Sequence, residues 1–235
     1  MRLGIVIPSY NEEENVEELV KEILVALKSY DFELAFVNDG SKDKTGELVD
    51  RLARTHEKIE AIHHETNKGY AEALKTGFNN GISKGMDAIL IMDSDLTHDP
   101  KDIPKFIKSF NEGADIVVGS RYVPGGGMTN VPPRRVFISK TANFMFRVIL
   151  GLKVKDVSSG FRGYKREVLE NIRIQSDSFQ IHVELTTKAA RSGYIIKEVP
   201  IMLENRRMGT SSFNLSKVAM KYVKLVIRLR LKRNT

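Results

Sequence analysis

Short apolar runs alternate with helical patterns through the first 119 residues of the chain. Five runs rich in aliphatic residues predict β-strands, and they lie at residues 3–8, 33–38, 59–64, 87–92 and 114–119. Between them, apolar residues at three- and four-residue spacing predict helices at about 13–29, 43–55, 68–85 and 101–112. Strands and helices that alternate with short connections predict an α/β fold, with a mainly parallel central sheet covered by helices on both faces.

The second half of the chain is less regular. A Gly- and Pro-rich loop at 124–133 separates it from the alternating half. The elements that follow are predicted as a helix at 134–151, a strand at 161–165, a helix at 178–192, a strand at 195–203 and a helix from about residue 214. We predict one catalytic domain, residues 1–213, followed by a basic amphipathic helix, residues 214–235.

Composition is that of a folded protein, with 41% apolar and 29% charged residues in a chain of 235. The absence of cysteine excludes a disulfide framework and a thiolate metal site. The N-terminal apolar run is too short for a signal peptide, and no window reaches the ~20 continuous apolar residues that span a bilayer. We therefore expect a cytoplasmic protein without a transmembrane domain.

The net charge of +7 is concentrated at the C-terminal end of the chain. Residues 205–235 hold nine of the 37 basic residues and no Asp or Glu, which leaves 28 basic against 30 acidic residues elsewhere. An excess of positive charge in one segment indicates an anionic partner for that segment. A membrane, a nucleic acid and a phosphate group are all compatible with it.

The helix predicted from about Leu215 carries its charge on one side. Its apolar residues share one face, and the opposite face holds Lys217, Lys221, Lys224 and Arg228. Such a helix either packs on the core with a solvated basic face or lies on an anionic membrane surface. In the second case the protein would be peripheral at the cytoplasmic face of the membrane.

Polar and charged residues collect where the predicted strands end. The five strand ends read PSYNEE, NDGSKD, HETNKG, DSDLTH and GSRYVP. Ligands of parallel α/β sheets bind at this edge. The G-x-G-x-x-G and G-x-x-x-x-G-K-[ST] motifs are both missing, which argues against a dinucleotide-dependent dehydrogenase and against a P-loop enzyme.

Asp93 and Asp95 follow the fourth strand directly. Residues i and i+2 at a strand end point the same way, so both carboxylates can reach one hard cation, and Mg²⁺ often takes only one or two protein carboxylates. The alternative is a solvated turn that caps the next helix, for which Asp99 alone would be enough.

A series of motifs follows in a fixed order along residues 3–215. They are P-S-Y-N-E-E-E-N, N-D-G-S-x-D-x-T, N-x-G-x-x-x-A, the D-x-D of MDSDLTHDP, G-S-R-Y, S-G-F-R and R-x-x-G-x-S. Each is weak alone, but the ordered set is specific. It resembles the inverting transferases of the glycosyltransferase A fold, and most closely the dolichol-phosphate mannose synthase branch of the polyprenyl-phosphate glycosyltransferases.

The resemblance implies roles for individual residues. Asp93 and Asp95 would be catalytic and would bind Mg²⁺ or Mn²⁺ on the donor diphosphate, and Arg121 would be a catalytic, phosphate-facing arginine. The nucleotide sugar would also contact Pro8, Tyr10, Glu12, Val37, Asp39, Ser94, Arg206 and Ser212.

Four positions depart from the family pattern. Asn38 stands where the family usually has Asp, and Thr97, the third candidate metal ligand, stands where close relatives have Gln. Ser212 and Gln180 each occupy a place that relatives often fill with Lys. The resemblance therefore implies a less basic donor pocket and leaves the identity of the sugar open.

A phosphate acceptor needs no general base, because its attacking oxygen is already anionic near neutral pH. It does need fixed positive charge, and Arg121, Arg134 and Arg135 flank the Gly-rich loop where they could supply it. Asp156 either faces the acceptor or caps a turn. The alternative for the arginines is that Arg134 and Arg135 only cap the following helix.

The leading hypothesis is transfer of mannose from GDP-mannose to dolichyl or another polyprenyl phosphate. Glucosyl transfer to a lipid phosphate and transfer to a saccharide or protein hydroxyl are alternatives, and a basic lipid- or nucleic-acid-binding module is the non-enzymatic one. An anionic membrane surface and a separate membrane-anchoring subunit are candidate partners. Nucleic acid is not expected, because the basic tail offers only Phe213 and Tyr222 for base stacking.

Overall fold

A seven-stranded sheet forms the centre of the computed structural model, which describes residues 1–205 and 215–231. Its strands are β1 (Leu3–Ser9), β2 (Phe32–Asn38), β3 (Ile59–His63), β4 (Ala88–Ile91), β5 (Ile116–Ser120), β7 (Arg162–Lys165) and β8 (Ile196–Pro200), in the order β3-β2-β1-β4-β7-β5-β8. All pairings are parallel except those of β7, which runs antiparallel to β4 and β5. The predicted strands are confirmed. The direction of β7 was not predicted.

Eight helices surround the sheet in the described part of the chain. They are α1 (Val16–Ala26), α2 (Thr45–Thr55), α3 (Tyr70–Ser83), α4 (Ile103–Asn111), α5 (Pro133–Leu150), α6 (Arg166–Asn171), α7 (Ile181–Arg191) and α8 (Leu215–Leu231). Two further short strands, β6 (Gly127–Thr129) and β9 (Met202–Glu204), pair in parallel. Helix α6 and strand β6 have no counterpart in the sequence-based expectations, and the strand predicted at 195–203 is divided at Ile201 into β8 and β9.

The sheet is buried on both faces. One core cluster joins its strands to α1, α2 and α4, and a second joins them to α3, α6 and α7. All four residues of β4 are fully buried, so this strand must be apolar throughout and cannot alternate. Apolar burial on two faces leaves the strand ends as the place where polar groups can collect.

Helix α3 approaches the sheet closely at Gly77. A Cβ atom on this residue would lie 2.2 Å from Cγ1 of Val6 in β1, a distance that no carbon pair tolerates. Gly77 thus allows α3 to pack directly against β1. Gly69 acts differently, because it precedes α3 with a φ of 94°, in the left-handed region that favours glycine.

Helix α8 lies against α5 and α7. The Tyr222 ring packs on Phe146 with centroids 5.1 Å apart, and Arg191 donates a hydrogen bond of 2.7 Å to the carbonyl oxygen of Leu229. Among the described helices, none combines the length and the apolar content that crossing a bilayer requires. The boundary between a catalytic domain and a terminal helix near residue 214 stays a prediction.

We expect Gly77→Ala to lower the free energy of unfolding by about 1–3 kcal/mol, because the added methyl group overpacks against Val6. Alanine is a better helix former than glycine, so helix propensity alone predicts a higher free energy of unfolding. Asn79→Ala, at an exposed position of the same helix, should change stability by no more than about 0.5 kcal/mol. Urea denaturation of both variants measures the difference. A Gly77→Ala protein as stable as the wild type would contradict the close approach.

Candidate active site

The D-x-D turn begins where β4 ends. Met92 still donates its backbone N–H to Val6 of β1, and the Ser94 hydroxyl donates to the carbonyl oxygen of Pro8 at 3.1 Å. Leu96 then adopts a φ of 58°, which turns the chain away from the sheet. The turn is therefore fixed to the end of β1, and Asp93 and Asp95 lie at the carboxyl edge of the sheet.

Each of the two carboxylates is oriented by a neighbouring hydroxyl. Oδ1 of Asp95 accepts a hydrogen bond of 2.7 Å from the Thr97 hydroxyl and a longer one from the Thr97 backbone N–H. Oδ1 of Asp93 accepts from the Tyr70 hydroxyl at 3.3 Å. Thr97, the predicted third metal ligand, thus uses its hydroxyl proton to hold Asp95.

Tyr70 packs in a small group of rings with the half-buried Phe179 and the buried His182. Its ring stacks on Phe179 with centroids 4.6 Å apart, and its hydroxyl lies 3.0 Å from Nε2 of His182. Burial, followed by the charge of Asp93, raises the pKa of Tyr70 well above its usual value, and burial lowers that of His182. Tyr70 therefore stays a hydrogen-bond donor to the first carboxylate. Sequence reasoning missed this tyrosine, although its position opens α3 at the same sheet edge.

The donor set fits a hard divalent cation. Within the described residues, no group of three or more His, Cys, Asp or Glu side chains could hold a metal by itself. Two carboxylates on one turn match the way Mg²⁺ and Mn²⁺ are held when substrate phosphates complete the coordination. His98, three residues after Asp95, is buried against Phe161, and this burial lowers its pKa to about 4, so it adds no positive charge near neutral pH.

The predicted nucleotide-binding residues on β1 and β2 lie at the same edge as the D-x-D turn. Pro8 and Val37 are buried at the ends of their strands, and Tyr10 is exposed. Glu12 is buried, and its Oε2 accepts a hydrogen bond of 2.7 Å from Asn15. Tyr10 is thus the one of these four whose side chain is open to solvent.

Asp39 is held by the protein itself. Its carboxylate accepts hydrogen bonds from the backbone N–H groups of Lys68 and Gly69, at 2.9 and 2.8 Å, and Nδ1 of His64 lies 2.6 Å away. A Cβ on the adjacent Gly40 would lie 2.5 Å from the backbone of Thr66. Asp39 therefore ties the end of β2 to the loop before α3, which shapes the edge of the sheet around it.

Asn38, one of the departures from the family pattern, is buried and begins a chain of polar contacts that leads to the surface. Its Nδ2 lies 3.0 Å from Nδ1 of His63, whose Nε2 lies 3.0 Å from Asp50. Its Oδ1 accepts from the Ser41 backbone N–H. A neutral amide can donate on one side and accept on the other, which a carboxylate cannot do.

Arg121 forms a bidentate ion pair with Asp156. Nε and Nη2 each lie 2.7 Å from a carboxylate oxygen of Asp156, and the Arg121 backbone N–H donates to the same group at 3.0 Å. The Asp156 side chain is fully buried. Asp156 was expected either to face the acceptor or to cap a turn. Its carboxylate instead binds Arg121 and does not line the cleft.

A cleft of about 520 Å³ lies between the loop after β5 and helix α5. Its walls are formed by Arg121, Tyr122, Val123, Pro124, Gly126, Lys140, Asn143, Phe144, Arg147 and Lys155. Arg134 and Arg135, the predicted acceptor residues, are exposed in the first turn of α5 and do not line this cleft. Lys140 and Arg147 lie seven residues apart on a predicted helix and therefore share one face. This spacing could have indicated a basic wall of the cleft.

Arg206 and Ser212 lie outside the described residues. Their predicted contacts with the donor stay predictions. The described part of the site therefore consists of the D-x-D turn, the β1 and β2 ends, and the Arg121–Asp156 pair with its cleft. His98 lies near both the D-x-D turn and the Arg121–Asp156 pair, because the charges of Asp95 and of Arg121 both influence its pKa.

Residues 4–173 match the family described as glycosyl transferase family 2, and the chain belongs to that family. It is 36% identical to the polyprenol monophosphomannose synthase of Mycolicibacterium smegmatis, over 99% of this chain and 89% of that protein. It is 34% identical to the undecaprenyl-phosphate mannosyltransferase of Micrococcus luteus, over 91% of this chain and 88% of that protein. The expected family resemblance is confirmed.

Two further comparisons extend this result. The dolichol-phosphate mannosyltransferase of Pyrococcus furiosus is 35% identical over 97% of this chain, which spans 64% of that longer protein. A crystal structure of glucosyl-3-phosphoglycerate synthase from Mycobacterium tuberculosis, in complex with Mn²⁺, UDP and glucosyl-3-phosphoglycerate, superposes with a TM-score of 0.70 over 99% of this chain and 79% of that one. At 20% identity this likeness shows the fold alone, and it confirms the predicted fold class.

We expect Asp156→Asn to lower the free energy of unfolding by about 3–5 kcal/mol, because it leaves the Arg121 charge buried without its counter-ion. Glu72→Gln is the matched control, since it breaks a surface pair with Lys75 and should cost less than about 1 kcal/mol. Chemical denaturation measures both. Equal losses in the two variants would mean that the Arg121–Asp156 pair is worth no more than a surface contact.

Proposed function

We propose that the protein transfers a hexosyl group, with inversion, from a nucleoside diphosphate sugar to a polyprenyl phosphate. Mannose from GDP-mannose is the leading donor. The names of the three relatives support a mannosyl donor and a lipid phosphate acceptor. The observation that carries the proposal is chemical: among the described residues that line the cleft, none is Asp, Glu or His.

A cleft without a base suits an acceptor that is already anionic. A sugar or protein hydroxyl must lose its proton as it attacks, so a site for such an acceptor needs a carboxylate or a histidine within reach. A phosphate monoester has a second pKa of ~6 and needs cations instead. The four basic side chains of the cleft, Arg121, Lys140, Arg147 and Lys155, therefore favour a phosphate acceptor over a hydroxyl acceptor.

On the donor side, Asp93 and Asp95 would hold Mg²⁺ or Mn²⁺ against the diphosphate. The cation, when bound, neutralises the charge that develops on the departing nucleoside diphosphate. Tyr70 and Thr97 keep the two carboxylates in fixed directions. An acceptor phosphate oxygen forms the new bond to the anomeric carbon as the bond to the diphosphate breaks, and the bonding pair leaves with the diphosphate. The complex of Mn²⁺ and UDP in the M. tuberculosis enzyme supports a divalent cation here.

We propose that an anionic membrane at the cytoplasmic face is the second partner. Large apolar side chains of α5 and α8 are exposed, and they are Phe137, Ile138, Phe144, Met145, Val148, Met220, Val223, Ile227 and Leu231. Helices α5 and α8 touch, and their exposed apolar side chains are together called the α5/α8 apolar surface. Exposed apolar area of this kind marks an interaction site, and here it adjoins the basic cleft, as a lipid phosphate requires.

The basic side of α8 does not face the membrane in this arrangement. Lys221 pairs with Asp177 at 3.0 Å, and Arg228 lies 3.6 Å from the buried Glu184. These two side chains are paired with acidic residues and are still 42% and 34% exposed, so this part of the basic face is partly solvated. Lys224 remains exposed. Attraction to anionic lipid then comes mainly from cations around the cleft and from the net charge of the chain.

We expect Asp95→Ala to abolish transfer while the protein stays folded, because the cation loses a ligand at the leaving group. Lipid-linked product is measured with GDP-mannose, a polyprenyl phosphate and saturating Mg²⁺ or Mn²⁺. Asp99→Asn, in the same segment, keeps the oxygen that caps the next turn and should retain full activity. More than about a tenth of wild-type activity in Asp95→Ala would overturn the role of the D-x-D turn.

We expect the double variant Val223→Glu/Ile227→Glu to lose at least tenfold in co-sedimentation with anionic vesicles, since burying each aliphatic side chain is worth about 1.5–3 kcal/mol. Val25→Glu, at an equally exposed apolar position on α1, is the control and should bind as the wild type does. Higher salt should weaken binding of every variant. Unchanged binding in the double variant would mean that the surface serves another partner, such as a membrane-anchoring subunit.

A further inference from the structure

One hydroxyl group connects the D-x-D turn to helix α7. Tyr70, the first residue of α3, lies with its hydroxyl 3.3 Å from Oδ1 of Asp93. The same hydroxyl lies 3.0 Å from Nε2 of His182, the second residue of α7. The two partners are 23 and 112 positions away from Tyr70 in the sequence. The first turns of two helices therefore meet beside the first carboxylate of the turn.

The protons available decide the direction of these two hydrogen bonds. Tyr70 has one hydroxyl proton, and the buried, neutral His182 has one ring proton. If Tyr70 donated to His182, its oxygen and the Asp93 carboxylate would face each other as two acceptors. The ring proton would then be on Nδ1, which is buried and has no hydrogen-bond partner among the described residues. Unpaired buried N–H groups are rarer than unpaired acceptors, so His182 donates to Tyr70 and Tyr70 donates to Asp93.

The other oxygen of Asp93 lies close to the loop before β7. A Cβ atom on Gly160 would be 3.2 Å from Oδ2 of Asp93 and 3.5 Å from the Tyr70 hydroxyl. Gly160 does not have a positive φ, so the need for space explains this glycine and backbone conformation does not. Asp93 is thus confined between the Tyr70 hydroxyl on one side and the backbone at Gly160 on the other.

Arg162 fixes this loop and α7 relative to each other. Its side chain is fully buried, its Nε donates to the carbonyl oxygen of Ser159 at 2.6 Å, and its Nη1 donates to that of His182 at 3.2 Å. A buried charged group that loses a hydrogen-bond partner costs more free energy than a neutral one does. His182 and the loop at Gly160 therefore keep their positions together.

We infer that His182 is a positioning residue of the transfer reaction, which acts through Tyr70 to hold the Asp93 carboxylate toward the divalent cation of the sugar donor. This inference rests on the proposed function, which assigns a cation to the D-x-D turn. Groups that orient a metal ligand typically change metal affinity or activity by about 10–100-fold when they are removed. The orientation of Asp93 thus depends on a helix that begins 88 residues later in the chain.

Cation binding is tested first, without acceptor and without transfer. Calorimetry follows Mn²⁺ binding in the presence of GDP, or of UDP if the wild type binds Mn²⁺ only with that nucleotide. Tyr70→Phe keeps the ring that stacks on Phe179 and should weaken Mn²⁺ binding at least about tenfold. His182→Leu should weaken it at least about threefold, because the Tyr70 hydroxyl stays but is free to turn.

Thr187→Val is the matched control on the same helix. It removes another buried hydroxyl, which donates to the carbonyl oxygen of Val183 at 2.7 Å, and it should leave Mn²⁺ affinity within about twofold of the wild type. An equal loss in the control would mean that α7 acts only through general stability and would overturn the inference. A wild-type protein that binds Mn²⁺ with neither nucleotide would also overturn it.

Two more variants test whether His182 acts through Tyr70. The double variant Tyr70→Phe/His182→Leu should bind Mn²⁺ within about twofold of Tyr70→Phe alone, whereas independent effects would multiply. His182→Gln keeps an N–H donor near the place of Nε2 and should restore affinity to within about threefold of the wild type. Multiplied effects, or no recovery in His182→Gln, contradict the inference. If His182→Leu does not fold, unchanged affinity in Tyr70→Phe is still enough to overturn it.

Kinetics with a polyprenyl phosphate and saturating sugar donor separate this inference from the proposed function. Tyr70→Phe should raise the Mn²⁺ concentration for half-maximal activity at least about tenfold and leave the acceptor KM within about twofold. An active transferase whose Mn²⁺ affinity does not depend on Tyr70 overturns the inference and leaves the function standing. Mn²⁺ binding that depends on Tyr70 and His182, in a protein without transferase activity, supports the inference and contradicts the proposed function.

Discussion

Burial of the sheet on both faces is the constraint from which the rest of the structure follows. Strands such as β4 have no exposed side, so they cannot carry charge along their length. The carboxyl edge is the first place where a polar residue can follow such a strand and still reach water. Asp93 and Asp95 come two and four residues after Ile91 for this reason, and the ends of β1 and β2 meet them there. Burial of the sheet on both faces thus stabilises the fold and also places the site at the carboxyl edge.

The polar groups at that edge are fixed by their own neighbours. Tyr70 holds Asp93, Thr97 holds Asp95, backbone N–H groups hold Asp39, and Asp156 holds Arg121. Fixed dipoles and charges need little rearrangement when a charged substrate arrives, which is the basis of electrostatic catalysis. The cleft differs, because Lys140, Arg147 and Lys155 carry charge that no described residue balances.

Sequence reasoning could predict the features that depend on local pattern. Continuous apolar runs predict buried strands, and the ordered motifs predict the family and the D-x-D turn. The antiparallel direction of β7 was out of reach, because a short run such as FRGYK carries no information on direction. The pairing of Arg121 with Asp156 joins residues 35 positions apart and depends on how loops meet in space. The cleft could not be predicted for the same reason. Its walls come from α5 and from the loop at Lys155, which meet only in the folded protein.

The outward face of α8 illustrates a further limit. A helical projection shows which residues share a side but not which side meets the protein. Acidic residues elsewhere in the chain decide this: Asp177 and Glu184 attract Lys221 and Arg228, and Val223 and Ile227 are turned outward as a result. The helix alone does not show that two of its cations pair with acidic residues of the protein while its apolar residues Val223 and Ile227 are exposed.

The size of the cleft has a consequence for chain-length selectivity. A volume of about 520 Å³ can take a phosphate and the first units of an isoprenoid, but it cannot enclose a whole polyprenyl chain. In the proposed complex, the remainder of the lipid chain would therefore lie outside the cleft. Acceptors that differ only far from the phosphate would then make the same contacts with the protein. Other enzymes would distinguish acceptors by chain length, while this protein would recognise only the phosphate head of the lipid.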